Sequence, residues 1–355
     1  MQEDVTRPTD RRRFLATSLA AVGAMAAPWT TGLAQKPAGD LAAADMLTPE
    51  TLQAIQAGLE YLASRQNPDG SMGAEGYQRD VAVVSLVGLA MLAHGSAPGR
   101  GAYGQPINRC IDYLLKNTDD SGFINATGRD NHGPMYGHGF ATLFLAEVYG
   151  MRPEPELRVK LVKAVRLIVN TQNDEGGWRY WPERRDADIS VTICQVMALR
   201  AARNAGIYVG NDTVDRCTEY VKRCQNPDGG FAYMLPGGVS EFPRSAAGVV
   251  ALYSAGVYTG DEISRGLAYL EQTVPQAEAV GTANHFFYGH YYAAQAMWQA
   301  GGDRWRRWYP MIRDTLLASR KPDGAWFDQV CPEYGTAMAC LILQMPHNYL
   351  PIFQR

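Results

Sequence analysis

One turn sequence recurs along this chain, and its spacing limits the fold before any single residue is interpreted. Gln172-Asn173-Asp174-Glu175-Gly176-Gly177-Trp178 is copied closely by Gln225-Asn226-Pro227-Asp228-Gly229-Gly230-Phe231. Gln66-Asn67-Pro68-Asp69-Gly70-Ser71-Met72 and Arg320-Lys321-Pro322-Asp323-Gly324-Ala325-Trp326 repeat it with one end changed, and Asp119-Asp120-Ser121-Gly122-Phe123 is a worn copy. The glycines lie 52, 54 and 53 residues apart, then 95, close to two shorter periods with one copy lost. A fixed period of this size marks repeated supersecondary units.

The segments between turns alternate in character. Thr48 and Pro49 form an N-cap and first helical residue, and the helix runs to Arg65 with Ile55, Leu59 and Leu62 on one face. The next helix, Val81 to His94, is apolar on nearly every side, so it must be surrounded by protein. The same pairing is predicted for 106–116 with 136–150, 154–171 with 186–204, 211–224 with 244–257, 261–273 with 285–299, and 303–320 with 333–345. Six amphipathic helices and six buried ones predict an all-α (α/α)6 toroid, or barrel, of six helical hairpins in two concentric rings. The sixth buried helix is as apolar as the middle ones, which favours a closed ring over an open solenoid with polar caps. The tail after Met345, with Tyr349, Leu350 and Phe353, is predicted to pack as a seal.

The N-terminus reads as a targeting segment. Thr9-Asp10-Arg11-Arg12-Arg13-Phe14-Leu15 precedes a short apolar run and small residues near Ala34, the pattern of a twin-arginine signal peptide. The expected division is residues 1–34 signal, 35–47 linker and 48–355 toroid, with export to the bacterial periplasm. No later stretch is long and apolar enough for a transmembrane helix. The formal charge of −3 gives no basic field for nucleic acid. Cys217 and Cys224 sit about two turns apart on one predicted helix, roughly 10 Å along its axis, too far for a disulfide. Mostly free, buried thiols are expected. There is no GxSxG, HExxH, P-loop, dinucleotide or CGEQ-type thioester sequence.

Gln172-x-x-x-Gly176-x-Trp178 resembles the QW motif of the squalene–hopene and oxidosqualene cyclases, and the repeated turns also resemble protein prenyltransferase β subunits. The resemblance covers residues 48–345. It implies an α/α toroid and either terpenoid cyclase (isomerase) or prenyltransferase-like (transferase) chemistry on an isoprenoid or other apolar small molecule. The same toroid also serves polysaccharide lyases and non-catalytic binders, so a carbohydrate-active lyase or hydrolase and a ligand- or protein-binding toroid stand as alternatives.

Candidate chemistry lies where loops enter the buried helices, at Arg79-Asp80, Tyr136-Gly137-His138, Asp186-Ala187-Asp188, Arg244-Ser245, Tyr288-Gly289-His290 and Glu333-Tyr334. All six starts are expected on one rim. Asp186-Ala187-Asp188-Ile189-Ser190-Val191 resembles the DxDDTA motif of class II terpene cyclases, which implies that Asp188 is the acid that protonates an alkene or epoxide. Ile189 replaces the next aspartate, and those cyclases use two helical domains where this chain has one. Asp186, Asp188, Arg244 and Glu333 are the candidate catalytic set. Tyr136, His138, His285, Tyr288, His290 and Tyr334 are candidate cavity residues. The Asp-x-Cys zinc pair of the prenyltransferases is missing from the buried-helix starts. A different zinc set is considered from His138, His290 and Cys331, since His with Cys suits zinc; His132 lies nearby in the same scheme.

Overall fold

The first helix shows why the outer elements form as they do. Thr48 Oγ1 accepts the backbone N–H of Thr51 at 3.2 Å, Pro49 follows, and helix α1 (Pro49–Arg65) buries a single stripe through Ile55, Leu59 and Leu62. Its partner α2 (Val81–Ala93) buries every residue but Ala82. The structure, a computed structural model, describes residues 46–126, 133–274, 280 and 285–354. The predicted leader, nearly all of the linker, and His132 lie outside the described residues.

The described residues contain twelve α-helices and four isolated β-bridges, with no strand. After α1 and α2 come α3 (Gly104–Lys116), α4 (Pro134–Met151), α5 (Pro155–Thr171), α6 (Ile189–Asn204), α7 (Asn211–Arg223), α8 (Phe242–Ser254), α9 (Asp261–Thr273), α10 (Phe286–Ala300), α11 (Gly302–Ser319) and α12 (Pro332–Leu343). The even-numbered helices pack each on the next, and α12 packs on α2, so the inner ring closes. The odd-numbered helices lie outside, and α11 contacts α1. The fold is the predicted toroid, and all six cysteines are free and buried.

The repeated turns turn out to be joints between repeats. Gln172 Nε2 donates to Gly176 O and to Thr213 O, both at 2.8 Å, and Thr213 is in the first turn of the next outer helix, α7. Arg216 of α7 donates back to Gln172 Oε1. The same two-way bond recurs: Gln66 reaches Pro106 O at 3.1 Å and receives Arg109, and Gln225 reaches Glu262 O at 2.8 Å and receives Arg265. Gly176 lies against this contact. At φ +101°, an added Cβ would stand 2.2 Å from Arg216 O, so only glycine fits. Asn173 Oδ1 takes the N–H groups of residues 175–177. The orphan helix-end carbonyl goes to the tryptophan, whose Trp178 Nε1 donates to Ile168 O at 2.7 Å; Trp326 does the same to Leu316 O.

Three of the turns also grip the inner helix that follows them. Trp178 N–H donates to Thr192 Oγ1, Phe231 N–H to Ser245 Oγ and Trp326 N–H to Thr336 Oγ1, at 3.1, 2.9 and 3.0 Å. The turns therefore set the height at which these three inner helices begin. At the opposite end, 3-10 turns at Met345–His347 and Pro351–Phe353 carry the tail across the C-terminal ends of the inner helices. Gln299 donates to Phe353 O at 2.7 Å and Arg200 to Gln354 O at 3.2 Å. Leu350, Ile352 and Phe353 are buried, as a seal requires, while Tyr349 stays exposed.

Two outcomes follow from this packing. Gln172→Ala removes a buried amide and leaves Thr213 O without its donor, so urea unfolding should show a loss of roughly 2–3 kcal/mol. Glu147, on α4 beside the tail, is 4% exposed, and burial pushes its carboxyl from 4.5 up to about 8 against the Ile352 N–H that pulls it down. A raised carboxyl binds its proton more tightly folded than unfolded, so its contribution is complete below pH 4.5 and is lost as pH rises through about 8. Glu147→Gln should flatten the fall in thermal midpoint across that window, measured by calorimetry.

Candidate active site

The first turns of all six inner helices meet around one cavity of about 750 Å³. Asp80 and Val83 belong to the start of α2, Tyr136 and Phe140 to α4, Ser190 to α6, Arg244 to α8, Tyr288 to α10 and Tyr334 to α12. Tyr77, Tyr180, Trp181, Tyr233, Glu241 and His285 complete the rim from the loops. The six polar helix starts do share one rim. The lining is rich in aromatic rings, with six tyrosines, Phe140 and Trp181.

Asp188 stands behind that lining. Its backbone N–H donates to Trp178 O at 3.0 Å, so the repeat turn itself fixes the segment. Its Oδ1 accepts the Val191 N–H at 2.9 Å as the N-cap of α6. Oδ2 makes no hydrogen bond and faces Arg179 Nε at 3.4 Å. The residue is 0% exposed. Burial pushes its carboxyl from 3.8 up to about 6, opposed by the Val191 N–H and the Arg179 charge. Asp186, by contrast, is largely in solvent and pairs with Arg179 at 2.6 Å.

Arg244 lines the cavity, pairs with Glu241 at 3.0 Å and lies 6.0 Å from the Tyr233 ring centre. Tyr136 tilts against Tyr180 with ring centres 6.0 Å apart, and Tyr288 donates to Ser190 O at 3.0 Å. His285, at φ +59°, is the residue before α10 and reaches the rim. Tyr334 is on the wall.

Three expectations require correction. Glu333 is buried away from the cavity and pairs with Arg65 Nε at 3.0 Å, tying α12 to the end of α1. His138 accepts the Ile124 N–H at Nδ1 (3.2 Å) and sits 3.2 Å from Ala164 O at Nε2. It does for the worn second turn what Thr192, Ser245 and Thr336 hydroxyls do for the others. His290 is enclosed by Phe242, Phe286 and Trp308, with ring centres at 5.1, 4.4 and 5.9 Å. The trio His138, His290 and Cys331 therefore does not converge, and no group of three His, Cys, Asp or Glu able to hold a metal occurs among the described residues. Burial pushes the Cys331 thiol up to about 12, which disfavours the thiolate that zinc needs.

The residues missed by the sequence reading include Tyr180, Tyr233 and Trp181. A signal existed: Gly176 and Gly229 are each followed four positions later by tyrosine, Tyr180 and Tyr233, and Gly324 by Asp328. That position follows the buried aromatic by two and turns toward the rim in both tyrosine copies. Asp328 is 7% exposed, and burial raises its carboxyl while His285 pulls it down.

This architecture is that of a family. The family model described as the prenyltransferase alpha-alpha toroid domain matches residues 41–177 and 86–270, and the chain belongs to that family. Among curated proteins, drimenyl diphosphate synthase of Streptantibioticus cattleyicolor is 34% identical over 85 residues; the match spans 24% of this chain and 15% of that protein. Among solved structures, a variant of the type II terpene cyclase MstE from Scytonema, in complex with geranylgeranyl dihydroxybenzoate, superposes with a TM-score of 0.59 at 14% identity. The superposition covers 85% of this chain and 98% of that one, so one toroid spans nearly the whole of a type II cyclase chain. A GH76 alpha-mannanase from Bacteroides thetaiotaomicron superposes with a TM-score of 0.61 at 11% identity over 86% of this chain and 98% of its own. These likenesses share the fold.

His138 supplies a check on the site assignment. Burial holds its imidazole down at about 4, so its stabilising neutral form is lost as pH falls from 6.5 through about 4. Its ring signals in an NMR titration should stay in the neutral position down to pH 5; a midpoint near 6.5 would show a solvent-facing ring.

Proposed function

We propose that this chain is a protonation-initiated isoprenoid cyclase, with Asp188 as the acid and the tyrosine-lined cavity as the template. The observation that carries the reading is one buried carboxylic acid, at the motif position of the cyclase acid, set directly behind an aromatic cavity. Transfer of its proton to a terminal alkene forms a C–H bond from the π pair and leaves a tertiary cation, which the next alkene attacks. Tyrosine faces attract such cations through the ring quadrupole. The carboxylate left behind is stabilised by the Val191 N–H and by Arg179. Ile189, in place of a second aspartate, leaves burial as the main influence raising the acid.

A carbohydrate-active role has weaker support. Of the cavity carboxylates, Asp80 caps α2 through the Ala82 and Val83 N–H groups and Glu241 is paired with Arg244, so neither is a free acid–base pair. Export belongs to the proposal as well. The twin-arginine leader would deliver the folded toroid to the periplasm, where its substrate would be a membrane-derived isoprenoid. N-terminal sequencing of periplasmic protein should find cleavage near residue 34.

The activity is tested with squalene and with farnesyl and geranylgeranyl alcohols and diphosphates, with products analysed by gas chromatography and mass spectrometry. Cyclised product is expected from at least one, falling by about 100-fold or more in Asp188→Asn. Because the acid must carry its proton, kcat should decline as pH rises through about 6. Absence of any cyclised product, with hydrolysis of α-mannan instead, would replace this reading with the carbohydrate one.

A further inference from the structure

Asp188 is the acid in the reading above, yet it does not line the cavity it would serve. Tyr180 and Tyr233 line it instead, and their hydroxyls are hydrogen-bonded to each other. We propose that the proton travels from Asp188 through the Tyr233 hydroxyl to the Tyr180 hydroxyl, and that Tyr180 is the group that touches the substrate. The inference rests on Asp188 being the acid, and adds the route by which its proton leaves.

The geometry on both sides of the pair supports this. Oδ1 of Asp188 is committed to the Val191 N–H, so the acidic proton belongs on Oδ2, the oxygen with no hydrogen bond. Arg179 bridges Asp188 to Tyr233, with Nε 3.4 Å from Oδ2 and its guanidinium over the Tyr233 ring. The Tyr233 hydroxyl favours the charged carboxylate but makes no hydrogen bond to Oδ2 at rest, so the first transfer requires the carboxyl to turn toward it. Tyr233 is anchored one residue beyond Asp188, since the Ile189 N–H donates to Tyr233 O at 2.9 Å. Tyr180 is anchored on the cavity side, where the Met135 N–H donates to its carbonyl at 3.0 Å. Arg179 lies over both rings, 4.9 Å from the Tyr180 centre and 5.6 Å from that of Tyr233, with its Nε turned to Asp188.

The step balances. The Tyr180 O–H bond breaks as its proton forms a C–H bond with the alkene π pair. The Tyr233 proton moves to Tyr180 oxygen, and the Asp188 proton moves to Tyr233 oxygen. Both tyrosines end neutral, the substrate is a carbocation, and Asp188 is a carboxylate facing Arg179. Burial raises the Tyr233 hydroxyl above its ordinary value, so a free tyrosinate is disfavoured and the transfers run together. The hydroxyls then rotate back, and water reprotonates Asp188 for the next turnover.

The test uses Tyr180→Phe, Tyr233→Phe and Asp188→Asn in the full chain, with whichever prenyl substrate of the panel is turned over. Both phenylalanine variants are expected to lower kcat by about 100-fold with KM within about threefold, and circular dichroism should match the wild type. Wild-type-like turnover in both phenylalanine variants, with Asp188→Asn inactive, overturns the relay and leaves the acid in place. Full activity of Asp188→Asn overturns the acid reading and the relay with it. A second readout needs no turnover: infrared titration of the Asp188 carboxyl stretch, assigned by its loss in Asp188→Asn. Removing the Tyr233 hydroxyl should move that titration to higher pH; an unchanged midpoint in Tyr233→Phe overturns the relay.

Discussion

The amide of Gln172 shows what the toroid is held by. One side chain ends its own turn through Gly176 O, holds the next outer helix through Thr213 O and receives Arg216 from that helix. Because the bond runs from one hairpin to the next, a hairpin is not a complete unit and gains its joint only in the ring. The glycine beside it lets the two backbones touch, and the tryptophan after it caps the outer helix and fills the gap. At the closing seam the pattern changes. Arg320 stands where three of the other turns have glutamine, and the seam is held by Gly324 against Ala57, Trp326 and Cys340 close to Gly58, and the pair of half-exposed Arg65 with buried Glu333. The residue that sequence reasoning placed in the catalytic set is thus part of the lock that closes the ring.

The same joint fixes the site. Four of the five turns bond the first residues of the inner helix that follows, and the N-terminal ends of the inner helices meet around one cavity. Those ends carry partial positive charge, which favours the carboxylates that precede them. Asp80, Asp188 and Glu241 are the N-cap residues of three inner helices. Two are engaged at the rim and one is buried. Six tyrosines line the cavity, three from the inner helices (Tyr136, Tyr288, Tyr334) and three from the connecting loops (Tyr77, Tyr180, Tyr233). The third repeat does double duty, since its Trp178 is bonded to both Thr192 and Asp188. A turn that looks structural is what holds the candidate acid in place.

Much of this was legible in the sequence. A period near 53 residues, alternating amphipathic and apolar helices, and an apolar last helix specified the closed double ring. The Asp-Ala-Asp segment entering α6 picked out Asp188. The failures share a cause. Near the start of an inner helix, one residue of register decides whether a side chain meets the lumen or the outer ring. His138, Glu333 and His290 fall on the outer side, while Tyr136, Tyr288 and Tyr334, two residues or fewer away on the same helices, fall on the wall. His138 was hard to place because the second turn is worn, and only the structure shows the ring nitrogen standing where other repeats have a hydroxyl. The glutamine bonds were missed because their partners lie about 40 residues downstream, beyond any local turn argument.

The central claim is that the buried acid starts a cyclisation by adding one proton to carbon. The most direct measurement is mass spectrometry and NMR of the product formed by wild-type protein in deuterium oxide. The account predicts one deuterium, on the carbon that begins the cascade. A product with no deuterium on carbon would contradict it.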